Sequence, residues 1–303
     1  MFRVRNQIGC ETTYNIKPES VPTIAVLDTG VMLHPDLSNR IVGFKDFVNG
    51  KNSVYDDSGH GTHVCGIIAG DGRLSAGKYK GVAPFAKLFV GKVLNHEGNG
   101  MADAMAEGIG WVIENALKYK IRVLNISVGI GELQDKTKER MLIRYMEKAW
   151  EEGLLVVCAA GNKGPEPGSI SALGRSSRII TVGCHDGEYF KDMPGRCETY
   201  SARGVCGRFA ERKPDIVAPG TAIVSCDANC KKSIRGFHNA YTKKSGTSMA
   251  TAIVSGVAGV LYAHHENYKN DHAKKKILYS AQDLGEPWCK QGYGMVSLQN
   301  LLK

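Results

Sequence analysis

Three short segments of this 303-residue chain hold an acid, a histidine and a serine in settings that suit nucleophilic catalysis. An apolar run ends in Asp28 within Ala-Val-Leu-Asp-Thr-Gly (residues 25–30), and His60 lies among small residues in Gly-His-Gly-Thr-His-Val (59–64). Ser248 lies in Ser-Gly-Thr-Ser-Met-Ala (245–250). A serine hydroxyl is a weak nucleophile at neutral pH and needs a base within hydrogen-bond reach. Each segment alone is a weak signal, because Gly-Thr-Ser more often forms a turn or a helix start.

The set of segments is more specific than any one of them. A fourth segment, Ala-Ala-Gly-Asn (159–162), falls between His60 and Ser248. In this order and at these spacings, the four segments resemble those of subtilisin-like serine proteases over residues 21–261, which is most of the chain. The stretches 69–73, 79–84 and 213–220 most resemble the bacterial intracellular alkaline branch of that family.

The resemblance implies a role for each catalytic candidate. His60 takes the Ser248 proton during attack and returns it to the leaving amine, and Asp28 holds the imidazole in the required tautomer. Asn162 donates a hydrogen bond to the oxyanion, together with the backbone N–H of Ser248. The expected activity is that of a serine endopeptidase, which hydrolyses peptide bonds through an acyl-enzyme.

The resemblance also implies two extended segments that hold a peptide substrate between them as a third strand. The first consists of Gly98, Asn99 and Gly100, the second of Ser127, Val128 and Gly129, and Ala160 and Gly161 line the P1 pocket with Lys163 at its rim. A lysine at the rim disfavours Lys or Arg at P1. We therefore expect broad specificity with apolar P1 residues preferred, and acidic P1 residues are the alternative.

Two alternative functions stay open at this point. A non-hydrolytic peptide-binding protein can use the same scaffold, although such proteins usually lose a triad residue and this chain keeps all four catalytic positions. A transpeptidase, which passes the acyl group to an amine, is also compatible with these residues. The expected partners are polypeptide substrates, and the sequence does not give the oligomeric state.

Apolar runs of strand length alternate with amphipathic segments, which is typical of a parallel sheet covered by helices on both faces. They predict strands over residues 23–27, 87–93, 122–126, 154–159 and 179–183, and helices over 102–119, 137–150 and 247–264. Asp28, Ser127 and Asn162 each follow a strand, and ligand sites in open α/β sheets lie beyond the carboxyl ends of the strands. The periodicity therefore predicts that these three residues share one sheet edge. The fold class is α/β, and the resemblance implies a subtilisin-like three-layer fold with a mostly parallel central sheet.

The chain is expected to form one catalytic domain over residues 21–303, preceded by an N-terminal arm over residues 1–20. We expect this arm to fold over the cleft as a short inhibitory segment. The sequence has no secretory apolar region and no run of the roughly 18 apolar residues that span a bilayer. We therefore expect a cytoplasmic protein without membrane association.

Nine cysteines form an odd-numbered set in a domain large enough to fold without disulfides, so we expect free thiols in a reducing compartment. A zinc site can be drawn from residues 184, 185, 197, 206, 226 and 230, but the ligand spacings of known zinc modules are absent. The expected chemistry requires no cofactor. Asp36 matches a calcium ligand of related enzymes, so a structural calcium is a candidate, although the loop 71–80 does not resemble the partner loop.

The formal net charge of +9 raises the question of an acidic partner. Lysines and arginines are scattered among acids, and the dense runs, such as residues 231–232 and 274–276, are short. No aromatic platform accompanies them, so a solvated surface is favoured over nucleic-acid binding. His60 and His63 are three residues apart, whereas a helical zinc pair needs a spacing of four, so His63 is expected to be a packed structural residue.

Overall fold

The structure, a computed structural model, describes residues 1–10, 14–128, 135–190, 194–207, 211–234 and 236–303. A parallel seven-stranded sheet lies at its centre. Its strands are β1 (Thr23–Asp28), β2 (Ile41–Asp46), β3 (Lys87–Lys92), β4 (Ile121–Ile126), β5 (Leu155–Ala159), β6 (Ile180–Cys184) and β7 (Ile216–Ala218). The order across the sheet is β2-β3-β1-β4-β5-β6-β7, so β1 lies inside the sheet between β3 and β4.

Helices surround this sheet, and two small antiparallel ladders follow it in the chain. The α-helices are α1 (Phe2–Gln7), α2 (His60–Ala69), α3 (Ala102–Asn115), α4 (Lys136–Glu151), α5 (Thr247–His264), α6 (Asn270–Tyr279), α7 (Trp288–Gln291) and α8 (Leu298–Leu301). The ladders pair β8 (Ile223–Cys226) with β11 (Tyr241–Lys244), and β9 (Lys231–Ser233) with β10 (Gly236–His238).

The predicted α/β architecture is confirmed. Every residue of β1, β5, β6 and β7 is buried, as expected for parallel strands covered on both faces. The predicted helix over 102–119 ends earlier, at Asn115. Lys120 adopts a left-handed φ of 52° and Ile121 N–H donates to Ala116 O at 2.8 Å, so a turn brings the chain into β4.

Helix α5 passes through the crowded interior because small residues let other elements approach it closely. A β-carbon on Gly256 would lie 2.6 Å from Val82 Cβ, and one on Gly259 would lie 2.8 Å from Ile24 Cδ1. Among the described residues, α5 is the one helix with the length and apolar composition of a membrane span, and 89% of it is buried within the protein.

Residues 1–10 pack into the core of the molecule. Met1, Val4 and Ile8 belong to the same hydrophobic cluster as the central sheet, and Arg3 pairs with Asp186 at 3.1 Å. Residues 1–10 therefore pack with the core, and the inhibitory role expected of residues 1–20 stays a prediction.

The expectation that all nine cysteines are free thiols is wrong for four of them. Disulfides join Cys184 to Cys197 and Cys206 to Cys289, across sequence separations of 13 and 83 residues. Cys184 is the last residue of β6. The fold brings Cys197 next to it, and the spacing of the two cysteines in the sequence does not predict this pairing. Because Cys184, Cys197 and Cys206 form disulfides, these three residues are not free to serve as ligands in the zinc site that was considered from the sequence. The other five cysteines, at positions 10, 65, 158, 226 and 230, are free.

Candidate active site

The structure brings Asp28 and His60 together at the carboxyl end of β1. Asp28 is the last residue of β1 and is fully buried, and His60 is the first residue of α2. His60 Nδ1 lies 2.7 Å from Asp28 Oδ1, which also accepts a hydrogen bond from the Thr29 N–H at 2.8 Å. The His60 side chain is 26% exposed, so the ring is accessible from solvent. Gly59, which precedes it, has a left-handed φ of 79° that favours glycine.

The Asp28 carboxylate sets the ionisation of His60. Burial by itself lowers the pKa of His60, but the charge and hydrogen bond of Asp28 outweigh burial, so the pKa is raised. In the neutral ring, the proton lies on Nδ1 facing the carboxylate and Nε2 is the free base. By contrast, burial lowers the pKa of His63 to about 3, and its Nε2 donates to Ile223 O at 3.0 Å. His63 is a packed residue of the core.

Asp56 is a positioning residue that the sequence did not reveal. Its Oδ1 accepts hydrogen bonds from Thr29 Oγ1 at 2.8 Å, from Ser58 N–H at 3.1 Å and from Gly59 N–H at 2.8 Å. Its Oδ2 accepts from both the N–H and the hydroxyl of Thr62. Burial raises the pKa of Asp56, but these donors outweigh burial and lower it. The sequence feature that could have indicated this role is an acid shortly before the start of a helix.

Lys92 is a second residue of the site region that the sequence did not reveal. It is fully buried at the end of β3, directly opposite Asp28 in the β1–β3 register. Its ammonium donates to Thr29 O and Leu94 O, both at 2.8 Å, and to Asp57 Oδ1 at 2.7 Å. A buried cation needs such partners, and these fix the loops that follow β1 and precede α2. No sequence signal distinguished it from an ordinary residue at a strand end.

Ser248 is the second residue of α5 and is half-buried beside Asn162. Asn162 Oδ1 accepts hydrogen bonds from the Thr247 N–H at 3.1 Å and from the Thr247 hydroxyl at 3.0 Å. Because a backbone N–H can only donate, the amide oxygen must face Thr247, which leaves Nδ2 free to donate into the site. The Ser248 N–H donates no hydrogen bond to any described residue, so it is a second available donor.

The Ser248 hydroxyl is not hydrogen-bonded to His60 among the described contacts. His60 is the first residue of α2 and Ser248 is the second residue of α5, and these two helices pack against each other. Catalytic hydrogen bonds are often long in the absence of substrate and tighten in the complex. The structure thus assembles the acid–base pair and brings the helix carrying the hydroxyl beside it.

A buried polar network ties the end of β4 to α5. Ser127 Oγ lies 3.2 Å from Ser248 O, and Asn125 Nδ2 donates to Ser127 Oγ at 2.8 Å. Ser255 Oγ donates to Asn125 Oδ1 at 2.8 Å. Ser127, predicted from sequence as part of a substrate-binding segment, therefore also holds the first turn of the helix that carries the nucleophile candidate.

The two segments predicted to hold substrate follow β3 and β4, the strands on either side of β1. Residues 98–100 are exposed in a turn that is closed by a hydrogen bond of 2.8 Å from Asn95 N–H to Asn99 O. Val128 is buried, and Gly129 lies outside the described residues. Apart from Gly129, the predicted segments lie on opposite sides of the strand that ends in the candidate catalytic acid.

The predicted P1 pocket follows β5. Ala160 and Gly161 are both buried, and Gly161 has a φ of +105° that favours glycine. Ala160 packs with Ile170 and Ala202 in a small apolar cluster separate from the main core. Lys163 is exposed. The predicted P1 pocket therefore has small apolar walls, and the exposed cation of Lys163 follows it in the chain.

The donors around Asp36 do not fit calcium. Asp36 Oδ1 accepts from Leu74 N–H at 3.1 Å, and Oδ2 accepts from the Tyr241 hydroxyl at 2.7 Å. The nearest other ligand-type side chains are His34 and Cys226, which offer nitrogen and sulfur. Calcium takes about six to eight oxygen ligands. The loop 71–80, which does not resemble the calcium-binding loop of related enzymes, donates the Leu74 N–H to the carboxylate.

Comparisons with known proteins give the family. Residues 20–296 match the model of the subtilase family, and the chain is 39% identical over 266 residues to serine protease AprX of Bacillus subtilis (strain 168). The chain belongs to the subtilase family. Its alignment with AprX covers 84% of this chain and 60% of AprX. This subtilase is also 34% identical over 262 residues to subtilisin Savinase of Lederbergia lenta, which covers 86% of this chain and 84% of that protein.

Solved structures of similar proteins confirm the fold. Sphericase aligns with a TM-score of 0.82 at 29% identity, and S41 psychrophilic protease with a TM-score of 0.81 at 30% identity. Each alignment covers 98% of both chains. The chain spans about three fifths of the length of AprX and of several other curated relatives.

Proposed function

We propose that this subtilase chain is a serine endopeptidase that cleaves peptide bonds of polypeptides through an acyl-enzyme. The observation that carries the proposal is the hydrogen bond of 2.7 Å between His60 Nδ1 and Asp28 Oδ1. It lies at the sheet edge where Asn162 presents a free amide donor beside the first turn of α5. This arrangement supplies a base, an orienting acid, a hydroxyl on Ser248 and an oxyanion donor.

In the first half of the reaction, Ser248 Oγ attacks the carbonyl carbon of the scissile bond while its proton passes to His60 Nε2. Asp28 stabilises the resulting imidazolium, because Nδ1–H donates to its carboxylate. The carbonyl oxygen becomes an oxyanion that accepts hydrogen bonds from Asn162 Nδ2 and from the Ser248 N–H. The C–N bond then breaks, the Nε2 proton passes to the leaving amine, and the acyl group stays on Ser248.

In the second half, water replaces the departed amine. His60 Nε2 takes a proton from the water as its oxygen attacks the acyl carbon, and the same two donors hold the oxyanion. Collapse breaks the bond to Ser248 Oγ, which recovers its proton from His60, and the carboxylic acid product leaves. In a transpeptidase an amine takes the place of the water, so product mass spectrometry that finds ligated or cyclic peptide identifies that alternative.

We propose broad specificity with apolar residues preferred at P1. Ala160, Ile170 and Ala202 supply small apolar walls, which favour burial of an apolar side chain. Lys163, exposed directly after Asn162, repels Lys or Arg at that position. Cleavage of a peptide library that is equally fast after Arg and after Leu would contradict this preference.

A fluorophosphonate probe tests the endopeptidase proposal, because it reacts only with an activated serine. Intact-protein mass should show one adduct on the unmodified chain and none on Ser248→Ala or His60→Ala. An adduct that survives Ser248→Ala would place the reactive hydroxyl elsewhere. A chain without any adduct that nevertheless binds peptide tightly would favour the non-hydrolytic alternative.

The expected cytoplasmic location stays a prediction, and the disulfides weigh against it. Such bonds persist in oxidising compartments and are rare in the cytosol of mesophiles. Titration of thiols in unfolded, unreduced protein should find five free cysteines if both Cys184–Cys197 and Cys206–Cys289 form. Nine free thiols in protein taken directly from cells would support a reducing compartment.

A further inference from the structure

β8 and β11 form a hairpin that precedes Ser248 in the chain, and a second hairpin lies between these two strands. β8 and β11 pair in antiparallel register, from Tyr241 opposite Cys226 to Lys244 opposite Ile223. Between them, β9 and β10 form a separate ladder. We call the described residues 231–234 and 236–238 the basic hairpin. β11 ends just before residue 245, so a single strand joins the basic hairpin to the segment that carries the nucleophile candidate.

The strand that leads into the basic hairpin is fixed against α2, the helix that begins at the candidate base. His63 Nε2 donates to Ile223 O at 3.0 Å, and Ser225 Oγ donates to His63 O at 2.9 Å. A β-carbon at Gly59, the residue before α2, would lie 3.4 Å from Ala228 Cβ. The segment between β8 and the basic hairpin therefore lies close to Gly59, the residue that precedes the candidate base.

The proposed reaction assigns this side of the site to the leaving group. His60 delivers a proton to the leaving amine, so the chain after the scissile bond must pass close to His60. The acyl side instead places its carbonyl oxygen at Asn162 and its P1 side chain beside Ala160. β8 and β11, which carry the basic hairpin between them, consequently lie on the side of the site where the primed part of a substrate, the residues after the scissile bond, leaves it.

The surface of the basic hairpin combines unpaired positive charge with exposed apolar side chains. Lys231 and Lys232 are exposed, and neither forms an ion pair with a described residue. Ile234 is fully exposed and Phe237 is 40% exposed. Phe237 lies directly opposite Lys232 in the ladder, and opposite residues share one face, so an aromatic ring and a cation lie side by side. Such a surface complements a peptide in which acidic and apolar residues are neighbours.

We propose that the basic hairpin binds the primed part of polypeptide substrates and selects segments in which Asp or Glu is next to an apolar residue. This inference rests on the proposed endopeptidase function. Substrate carboxylates pair with Lys232, and neighbouring apolar side chains contact Ile234 and Phe237, which lies on the same face of the ladder as Lys232. Flexible acidic polypeptides are then cleaved faster than neutral ones that share the same residues before the scissile bond.

Matched peptides test the role of the basic hairpin. All carry the same apolar residues before the scissile bond, and an Asp-Leu or Asn-Leu pair is placed in turn from the second to the eighth residue after it. The value of kcat/KM is measured for the unmodified chain, for the double variant Lys231→Glu/Lys232→Glu and for the control Lys275→Glu/Lys276→Glu. The control makes the same change of charge at two exposed residues of α6.

The ratio of kcat/KM for Asp peptides to that for Asn peptides should reach about 3 to 10 in the unmodified chain and in the control. It should fall to about one or below in the hairpin variant, and it should fall in all forms as salt rises from about 0.05 to 0.5 M. A ratio of one at every position in the unmodified chain overturns the proposal, as does an equal loss in the control.

A p-nitroanilide substrate with no residues after the scissile bond separates this proposal from the proposed function. If the unmodified chain does not hydrolyse it, the endopeptidase function fails. The hairpin is then tested by the anisotropy of fluorescent Asp and Asn peptides bound to the unmodified chain and to the hairpin variant. If Asp peptides bind more tightly than Asn peptides to the unmodified chain and this difference disappears in the hairpin variant, the proposed role of the basic hairpin is supported. Equal affinities of the two peptides for the unmodified chain overturn that role.

Discussion

Asp56 Oδ2 accepts two hydrogen bonds from Thr62, one from its backbone N–H at 2.8 Å and one from its hydroxyl at 2.6 Å. Asp56 Oδ1 accepts a hydrogen bond from the hydroxyl of Thr29, the residue after Asp28. One carboxylate therefore connects the end of β1 to the first turn of the helix that begins at His60. The relative placement of acid and base depends on this contact, although Asp56 touches neither reacting atom.

Replacing Asp56 by Asn should lower kcat/KM about 10- to 100-fold, because an amide has only one acceptor oxygen for the five donors around it and catalysis is sensitive to small displacements. The lost charge should also lower the pKa of His60, since Asp56 is among the groups that raise it. The acid limb of the pH profile of kcat/KM should therefore move to lower pH as activity falls.

The control for Asp56→Asn is Glu266→Gln, which removes one negative charge at an exposed residue. It should leave both kcat/KM and the acid limb unchanged. If Asp56→Asn lowers the melting temperature but leaves the acid limb in place, Asp56 serves stability alone and the positioning role is refuted.

The pH dependence of kcat/KM should follow the titration of His60. Asp28 raises the pKa of His60 against the effect of burial, so the imidazole becomes neutral and able to accept a proton only above its ordinary value of about 6.5. Activity should rise with pH through a midpoint above about 6.5 and be lost below it. His63 does not contribute, because burial lowers its pKa to about 3.

Initial rates with a p-nitroanilide substrate from about pH 4 to pH 10 measure this midpoint. Asp28→Asn should lower kcat by about four orders of magnitude, because the imidazole loses its orienting carboxylate. A midpoint below about pH 6 in the unmodified chain would mean that Asp28 does not control the ionisation of His60.

The sequence was sufficient to predict five of the seven strands of the sheet, all but β2 and β7, and the edge at which the candidate site lies. Asp28, Ser127 and Asn162 each follow a continuous apolar run, and such runs are the expected signature of buried parallel strands. Because parallel strands end at the same edge, the periodicity alone placed three polar residues together. The resemblance to known proteases then selected His60 and Ser248 from among the other histidines and serines.

Contacts made by packing between distant segments could not be predicted in this way. Lys92 is fully buried at the end of β3, and only the fold brings Asp57 to its ammonium. The pairing of Cys206 with Cys289 spans 83 residues, and nine cysteines allow many pairings that spacing does not distinguish. Asp36 likewise matched a calcium ligand by motif, yet its carboxylate is held by a loop of different sequence.

Asp36→Asn should destabilise the protein by the same amount with and without calcium. The carboxylate accepts hydrogen bonds from Leu74 N–H and the Tyr241 hydroxyl, so an amide that turns its NH₂ toward either donor loses about 1–3 kcal/mol. Unfolding by denaturant in EDTA and in calcium measures both values for the unmodified chain and the variant. A loss that appears only in calcium would restore Asp36 as a calcium ligand.

Thr247 should act on catalysis only through Asn162. Asn162→Ala removes the oxyanion donor and should lower kcat about 10²- to 10³-fold with little change in KM, a loss known from subtilisin itself. Thr247→Val removes one of the two hydrogen bonds that orient the Asn162 amide and should lower kcat about 3- to 10-fold. Thr247→Ser, which keeps the hydroxyl, is the matched control and should retain activity. In the Asn162→Ala background, Thr247→Val should have no further effect on kcat, and a full additional loss there would show that Thr247 acts by another route.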